Sequence, residues 1–360
     1  MKAAVFRGVN QPLTIEDVEI DRPQPREVVV RTVATGVCHS DLHFYEGKYP
    51  APIPGILGHE PAGIVEEVGS QVSYVKPGDH VVGCLSVFCG SCEQCLTGHP
   101  YRCSQAPRRA PGEPPRLRFP DGQPIGQVSN LSAYAEKMLV HENALVKIDD
   151  GIPLDLAALV GCGVITGLGA VFYTAKVEPG STVAVFGAGG VGLAAIQGAR
   201  LAGARRIIAV DIGEPKLEIA RQFGATDLVD ASEGDPVEEI RRIADGGVDY
   251  AFEAIGLTST AEQAFLSTGR GGVATIIGMI PIGQSVSIPG SLLLTERKLQ
   301  GSGMGSNRFR VDVPRYLDLY RQGRLKLDEM VTRRLPLADI NSAFEALTRR
   351  EVTRSVIVFE

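Results

Sequence analysis

The stretch TVAVFGAGGVGLAAIQGARLAGARRIIAVD, residues 182–211, decides how this chain folds. It runs from apolar β-branched residues through a glycine-rich turn into small apolar residues at helical spacing, and ends in a second apolar run closed by Asp211. The predicted order is strand, tight turn, helix, parallel strand. Gly187 permits the turn, Gly189 lets the backbone approach a pyrophosphate, and Gly192 lets the helix pack closely on the strand. Phosphates then lie at the helix N-terminus, with Gly190 and Val191 among the binding residues. Three glycines alone are a weak signal. Here they follow a strand, open a helix and precede an acidic residue by about twenty positions, so the segment reads as a dinucleotide site.

A carboxylate at Asp211 accepts hydrogen bonds from ribose hydroxyls and repels a 2′-phosphate, and no arginine follows directly in DIGEPK. NAD is favoured over NADP. Downstream, LEIARQFGA then DLVD, VEEIRRIAD then VDYAFEAIG, and AEQAFLST then GVATIIG repeat the helix–strand alternation of a doubly wound parallel sheet. VATIIG reads as its terminal strand, an apolar edge that calls for self-association.

A second signature is CGSCEQCLTGHPYRC, residues 89–103. Cys89, Cys92 and Cys95 are two residues apart, and Cys103 follows after seven more, a spacing that closes a tetrahedron around one zinc ion. Disulfides need an oxidising compartment, and MKAAVFRGVN has no export-signal pattern. An iron–sulfur cluster is the stronger rival, but its bacterial pattern ends in a three-residue gap and a proline, whereas Ser104 follows here. Four thiolates leave no open position, so such an ion is structural and the chemistry lies elsewhere.

Length suits two domains. With 44% apolar and 22% charged residues and a formal net charge of -6, the composition excludes disorder, a membrane span and a phosphate-tracking nucleic-acid surface. RRAP at Arg108 and Arg109 reads as a solvated loop. Seven cysteines and the absence of an export signal point to a reducing cytoplasm.

Residues 2–90 alternate short β-rich runs with Pro and Gly, as in a barrel-like antiparallel domain. Residues 104–130 read as a long surface loop, and 131–148 return to strand patterning. Three candidate ligands are scattered: Cys38 in GVCHSDLH, His59 in GILGHEPAGIVEEVG, and Cys162 at the start of a small-residue helix. Taken singly, each is more often a buried or hydrogen-bonded core residue. HEPAG has no second histidine four residues on, which removes the two-histidine zinc proteases. VPRYLDLYRQGRL is a helix, and SVIVF a closing strand that returns to the first domain.

GHEPAGIVEEVG, the four-cysteine lobe, GCGVITG and GAGGVG occur in the order and spacing of the zinc-dependent medium-chain alcohol dehydrogenases, and the resemblance covers essentially the whole chain. It implies a mainly β, GroES-like catalytic domain over residues 1–163 and 304–360 with its zinc lobe at about 89–103, and a Rossmann NAD-binding domain over 164–303. It implies two zinc ions per chain: a structural one at the four-cysteine lobe, and a catalytic one on Cys38, His59 and Cys162 with its fourth position open. Glu60 resembles a carboxylate that exchanges onto the metal. Ser40 and His43 resemble the relay that carries the alcohol proton to the surface. His39 and Arg354 match pyrophosphate contacts, Lys216 an adenosine-ribose contact, and Thr166 a residue lining the nicotinamide. The implied mechanism is Lewis-acid assistance to loss of the alcohol proton, followed by hydride transfer to the nicotinamide.

The loop between Cys103 and Tyr134 is intermediate in length for the family. With SAYAEKMLV and DLYRQGRLKLDEM, it is similar to bacterial aryl-alcohol and thiol-dependent formaldehyde dehydrogenases. His43, where glutathione-dependent formaldehyde enzymes usually carry a tyrosine, favours direct oxidation of a primary, aromatic or medium-sized alcohol. Leu85 matches a substrate-pocket position. A mycothiol- or glutathione-dependent formaldehyde dehydrogenase is the alternative, and a non-catalytic NAD-binding sensor is a third reading. The resemblance implies a homodimer, with a tetramer open. Cys84 has no role beyond packing.

Overall fold

EVVVRTVATGV forms the strand Glu27–Val37, whose side chains are buried on both faces, so its apolar residues do not alternate with exposed polar ones as they would on a half-exposed strand. The computed structural model describes residues 1–349 and 353–360. Glu27–Val37 pairs antiparallel with Glu60–Val68, Lys137–His141 and Ser355–Val358. His80–Gly83 and Leu145–Lys147 extend this seven-stranded sheet on one side and Arg333–Leu335 on the other. A smaller sheet orders Thr14–Asp17, Lys2–Phe6, Gly55–Ile56 and Gly126–Gln127. One apolar core gathers Val5, Phe6, Ile56, Leu57, Tyr134 and Phe344, and another gathers Val28, Val30, Val65, Met138 and Leu145.

Residues 104–130 are less of a surface loop than their Pro- and Gly-rich composition suggests. Leu117, Phe119 and Ile125 are buried in the first core, Leu117–Arg118 pairs with Glu19–Ile20, and Gly126–Gln127 runs parallel to Gly55–Ile56. Nor is Arg109 solvated. Its side chain is 8% exposed and pairs with Asp21 and with Glu27, each at 2.6 Å, while Arg116 reaches Glu27 at 2.7 Å. One buried carboxylate thus gathers two guanidiniums and pins the segment to the start of the central strand. These hydrogen bonds outweigh the cost of burying Glu27 and hold its carboxyl below the usual range.

The chain divides into two units, residues 1–162 with 308–360, and residues 163–307. In the second, six strands run in the order Asp227–Asp230, Arg206–Asp211, Thr182–Phe186, Val248–Glu253, Thr268–Ile276 and Lys298–Gly301, every pair parallel. That is the doubly wound order, with its switch point beside Thr182–Phe186. VATIIG is therefore not the edge: it lies in Thr268–Ile276, paired on both sides, and the terminal strand is the polar KLQG of Lys298–Gly301. The connecting helices obey local signals. Asp235 caps Pro236–Ile243 by accepting from Val237 N at 2.9 Å, and Gly224, at φ +120°, ends Glu214–Phe223. Residues 304–307 stay with this unit, a few residues beyond the boundary read from sequence, because Gly305 packs directly on Gly169 and Ser306 Oγ lies 2.8 Å from Thr174 Oγ.

Replacing Glu27 by alanine removes the carboxylate partner of Arg116 and one of the two carboxylates that Arg109 meets. Unfolding free energy should fall by about 3 kcal/mol, measured by urea titration. A loss below about 1 kcal/mol would show that the arginine knot does not hold the segment in place.

Candidate active site

Strand register assembles the site. Gly36 pairs with Glu60, so Cys38, two residues past Gly36, and His59, one residue before Glu60, arrive at the same end of the antiparallel pair. Gly36 is required there, because a Cβ would overlap the Glu60 carboxylate. Cys162 closes the short turn Ala158–Gly161 and joins them. Cys38, His59, Glu60 and Cys162 are all buried, and each offers a ligand atom within 4.8 Å of the others'. His59 Nε2 is buried with no hydrogen-bond partner among the described residues. Two thiols and an unpartnered imidazole nitrogen, converging from three separate segments, make a donor set whose chemistry fits a zinc ion. The Cys38 thiol is held well below its usual range, first by a hydrogen bond from Cys162 and further by the nearby His59 and Arg354.

Glu60 is fully buried and faces Arg354, whose NH1 lies 3.1 Å from Oε1. Burial pushes the Glu60 carboxyl up to about 7, against the pull of Arg354. Arg354 precedes the strand Ser355–Val358, whose pairing of Ser355 with Val37 delivers it to the same end of the sheet. The structure thus joins Arg354 to the Glu60 carboxylate, a partner that sequence reasoning does not give it.

His39, Ser40 and His43 lie on the helix His39–Tyr45. Ser40 Oγ is 3.5 Å from Cys38 Sγ, and no hydrogen bond links Ser40 to His43 among the described residues. His43 is buried, its Nδ1 lacks a partner, and its ring stacks on Tyr49 at 6.0 Å and meets His39 edge-on at 5.2 Å. Burial, with the neighbouring charges of His39 and Lys48, lowers its pKa to about 4, so it is neutral at physiological pH. Leu85 packs partly against the second β core, and fully buried Cys84 donates its backbone N–H to Ala144 O.

Sequence reasoning assigns no role to Asp41, one turn into this helix. It is fully buried, and His59 Nδ1 donates to its Oδ1 at 3.1 Å. That contact puts the proton on Nδ1 and leaves the Nε2 lone pair free for a metal. The one available signal was an acidic residue three positions after Cys38, which spacing alone does not distinguish from a solvated one.

The four-cysteine lobe is a separate cluster. Its sulfurs lie 3.5–3.9 Å apart in three pairs, no two are bonded, and the backbone N–H groups of Ser91 and Cys92 donate to Cys89 Sγ at 3.4 and 3.3 Å. Those donors pull the Cys89 thiol down to about 6. Amide-solvated sulfur is what a zinc thiolate site needs.

In the second unit Gly187 has φ +99° and donates to Val210 O, and a Cβ on Gly192 would overlap the Gly187 carbonyl. Around Gly189, which caps Gly190–Leu201, a Cβ would meet nothing within 4 Å. Asp211 accepts from Ala188 N and Ile212 N, both at 2.7 Å, and Lys216 Nζ is 4.0 Å from its Oδ1. Thr166 is buried and donates to Met304 Sδ at 3.6 Å.

A family model described as the alcohol dehydrogenase GroES-like domain matches residues 24–150, and one described as zinc-binding dehydrogenase matches residues 190–321. Alcohol dehydrogenase class-3 of Zea mays is 42% identical, the alignment covering 100% of this chain and 97% of that protein. The chain belongs to the zinc-dependent medium-chain alcohol dehydrogenases. It is an NAD-dependent oxidoreductase with zinc and a nicotinamide dinucleotide as cofactors. Among solved structures it resembles an alcohol dehydrogenase zinc-binding domain protein from Burkholderia ambifaria (TM-score 0.95, 37% identity, 100% and 98% coverage). It also resembles benzyl alcohol dehydrogenase from Acinetobacter calcoaceticus (TM-score 0.92, 34% identity, 100% and 99% coverage). No single helix among the described residues is long and apolar enough to cross a membrane.

Gly192→Ala forces helix and turn apart at the glycine-rich turn, where a Cβ would overlap the Gly187 carbonyl. Titration with NADH, followed by fluorescence, should show affinity weakened at least about tenfold, roughly 1.4 kcal/mol. Unchanged affinity would contradict the fingerprint assignment.

Proposed function

We propose that this dehydrogenase oxidises primary and aromatic alcohols reversibly to aldehydes with NAD, using a catalytic zinc held by Cys38, His59 and Cys162. The observation that carries this reading is the buried convergence of two thiols and an unpartnered imidazole nitrogen. Its substrate side is supported by likeness to a benzyl alcohol dehydrogenase. When bound, zinc supplies a Lewis acid that eases loss of the alcohol proton, and NAD supplies the hydride acceptor.

The chain's own residues do the rest. Ser40 Oγ, beside Cys38, takes the hydroxyl proton as it gives up its own, and Nδ1 of neutral His43, farther along the helix, is the acceptor on which that released proton ends. Glu60 holds a carboxylate beside the ligands under the restraint of Arg354. The Cys89, Cys92, Cys95 and Cys103 lobe holds a structural zinc. In the second unit the turn at Gly187, Gly189, Gly190, Val191 and Gly192 cradles the pyrophosphate, Asp211 with Lys216 binds the adenosine ribose, and Thr166 lines the nicotinamide. His39 and Arg354 act as pyrophosphate contacts in this reading. Six cysteines used as metal ligands suit a reducing compartment, and we place the enzyme in the cytoplasm.

A homodimer is our reading of the assembly. Among the described residues the edge strand Lys298–Gly301 has only one pairing neighbour, and Leu293, Leu294 and Ile282, before it in sequence, are exposed. Sedimentation as a monomer at micromolar concentration would contradict it.

A thiol-dependent formaldehyde dehydrogenase is the second reading. It is favoured by the chain's likeness to alcohol dehydrogenase class-3 of Zea mays, a class that also acts as a formaldehyde dehydrogenase. NADH production across aliphatic and benzylic alcohols, and from formaldehyde with and without mycothiol or glutathione, separates the two. We expect turnover of benzylic alcohols without thiol; turnover only of formaldehyde with thiol would overturn the first reading.

The relay makes a pH prediction. Because His43 titrates near 4, its protonation should leave alcohol oxidation untouched down to about pH 5. Ser40→Ala should lower kcat about 100-fold at pH 7, and His43→Gln about tenfold, with the His43→Gln loss shrinking toward pH 9 as hydroxide replaces the lost acceptor. A wild-type acid limb near pH 6.5 that disappears in His43→Gln would contradict the assignment.

A further inference from the structure

We propose that Tyr134 is a positioning residue of the zinc centre, its hydroxyl acting through the Asp41 carboxylate to fix the tautomer and orientation of His59. This rests on the reading that His59 is a metal ligand.

The geometry is a chain of three side chains with no solvent access. Tyr134 and Asp41 are both fully buried, and His59 nearly so. Asp41 Oδ1 receives two donors, Gly58 N at 3.0 Å and His59 Nδ1 at 3.1 Å. Asp41 Oδ2 receives Tyr134 OH at 2.7 Å, its one donor among the described residues. The hydroxyl therefore decides which way the carboxylate plane faces. Without it, Oδ2 is left buried and unsatisfied, and the carboxylate gains a reason to rotate away from His59.

Tyr134 is well placed for this because it is itself immobile. Its backbone N donates to Leu57 O at 3.1 Å, its carbonyl accepts from Ala4 N at 2.8 Å, and Ala133 N donates to Gly58 O at 3.0 Å. Gly58 has φ +90°, and a Cβ there would press on the Tyr134 backbone and ring. Phe344 meets the ring edge-on at 6.1 Å. One residue thus holds the turn that presents His59 from two sides, by its backbone at Leu57 and by its hydroxyl through the Asp41 carboxylate. A hydroxyl serving only to fill the core would not need a carboxylate as its acceptor, nor would that carboxylate need His59 on its other oxygen.

The test compares zinc release from wild type and Tyr134→Phe into excess 4-(2-pyridylazo)resorcinol, with the four-cysteine zinc as an internal reference. The proposal expects the zinc held by His59 to leave about tenfold faster in Tyr134→Phe while the four-cysteine zinc leaves at the wild-type rate. It also expects the visible bands of enzyme carrying cobalt at the His59 site to shift. Equal release rates with unshifted bands would overturn it, and so would equal acceleration at both sites, which marks a general loss of stability. On an Asp41→Asn background, Tyr134→Phe should add no further acceleration; a full, additive effect there would show that the hydroxyl acts by another route. The underlying reading fails separately, if His59→Ala still binds two zinc ions per chain.

Discussion

The antiparallel pairing of Glu27–Val37 with Glu60–Val68 is the constraint on which the catalytic unit depends. Its register, Gly36 opposite Glu60, sets Cys38 and His59 side by side although twenty residues separate them in the chain. A slip of one residue would turn every side chain of one strand to the other face and part Cys38 from His59. The same strand carries the C-terminal pairing that delivers Arg354, and at its start Glu27 ties down the segment around Arg109 and Arg116. The strand is buried on both faces because sheet, core and site all use it.

Burial then sets the chemistry. Glu60 and Arg354 form an ion pair with almost no solvent access, an arrangement whose desolvation cost rivals its Coulomb gain and which is thus weak as a source of stability. Its value lies in position: a carboxylate restrained beside two thiols and an imidazole. Asp41 does the corresponding work beneath His59. The second unit solves a different problem by different means, using backbone rather than side chains. Glycines at 187 and 192 permit a turn and a close helix that other residues would block, and Asp211 braces the turn through Ala188 N.

What could be read from sequence follows the range of the interactions. The four-cysteine lobe and the glycine fingerprint are local, complete within fifteen and thirty residues, and their spacing carries their geometry. Cys38, His59 and Cys162 are long-range. Singly they are indistinguishable from core residues, and only their order among family motifs suggested a common site. Asp41 and Tyr134 escaped because their importance is burial, which no motif records. Two errors have physical causes. VATIIG looked like an edge because a further strand returns only after a long connection, and that strand, KLQG, is too polar and short to read as one. Arg109 looked solvated because its partners, Asp21 and Glu27, lie more than eighty residues away.

The most direct test is zinc content and NADH production measured on the same samples of wild type and Cys162→Ala. The account predicts two zinc ions and turnover of a benzylic alcohol in the first, and one zinc ion with turnover lowered at least about 1000-fold in the second. Two zinc ions in Cys162→Ala, or near wild-type turnover with one, would contradict it.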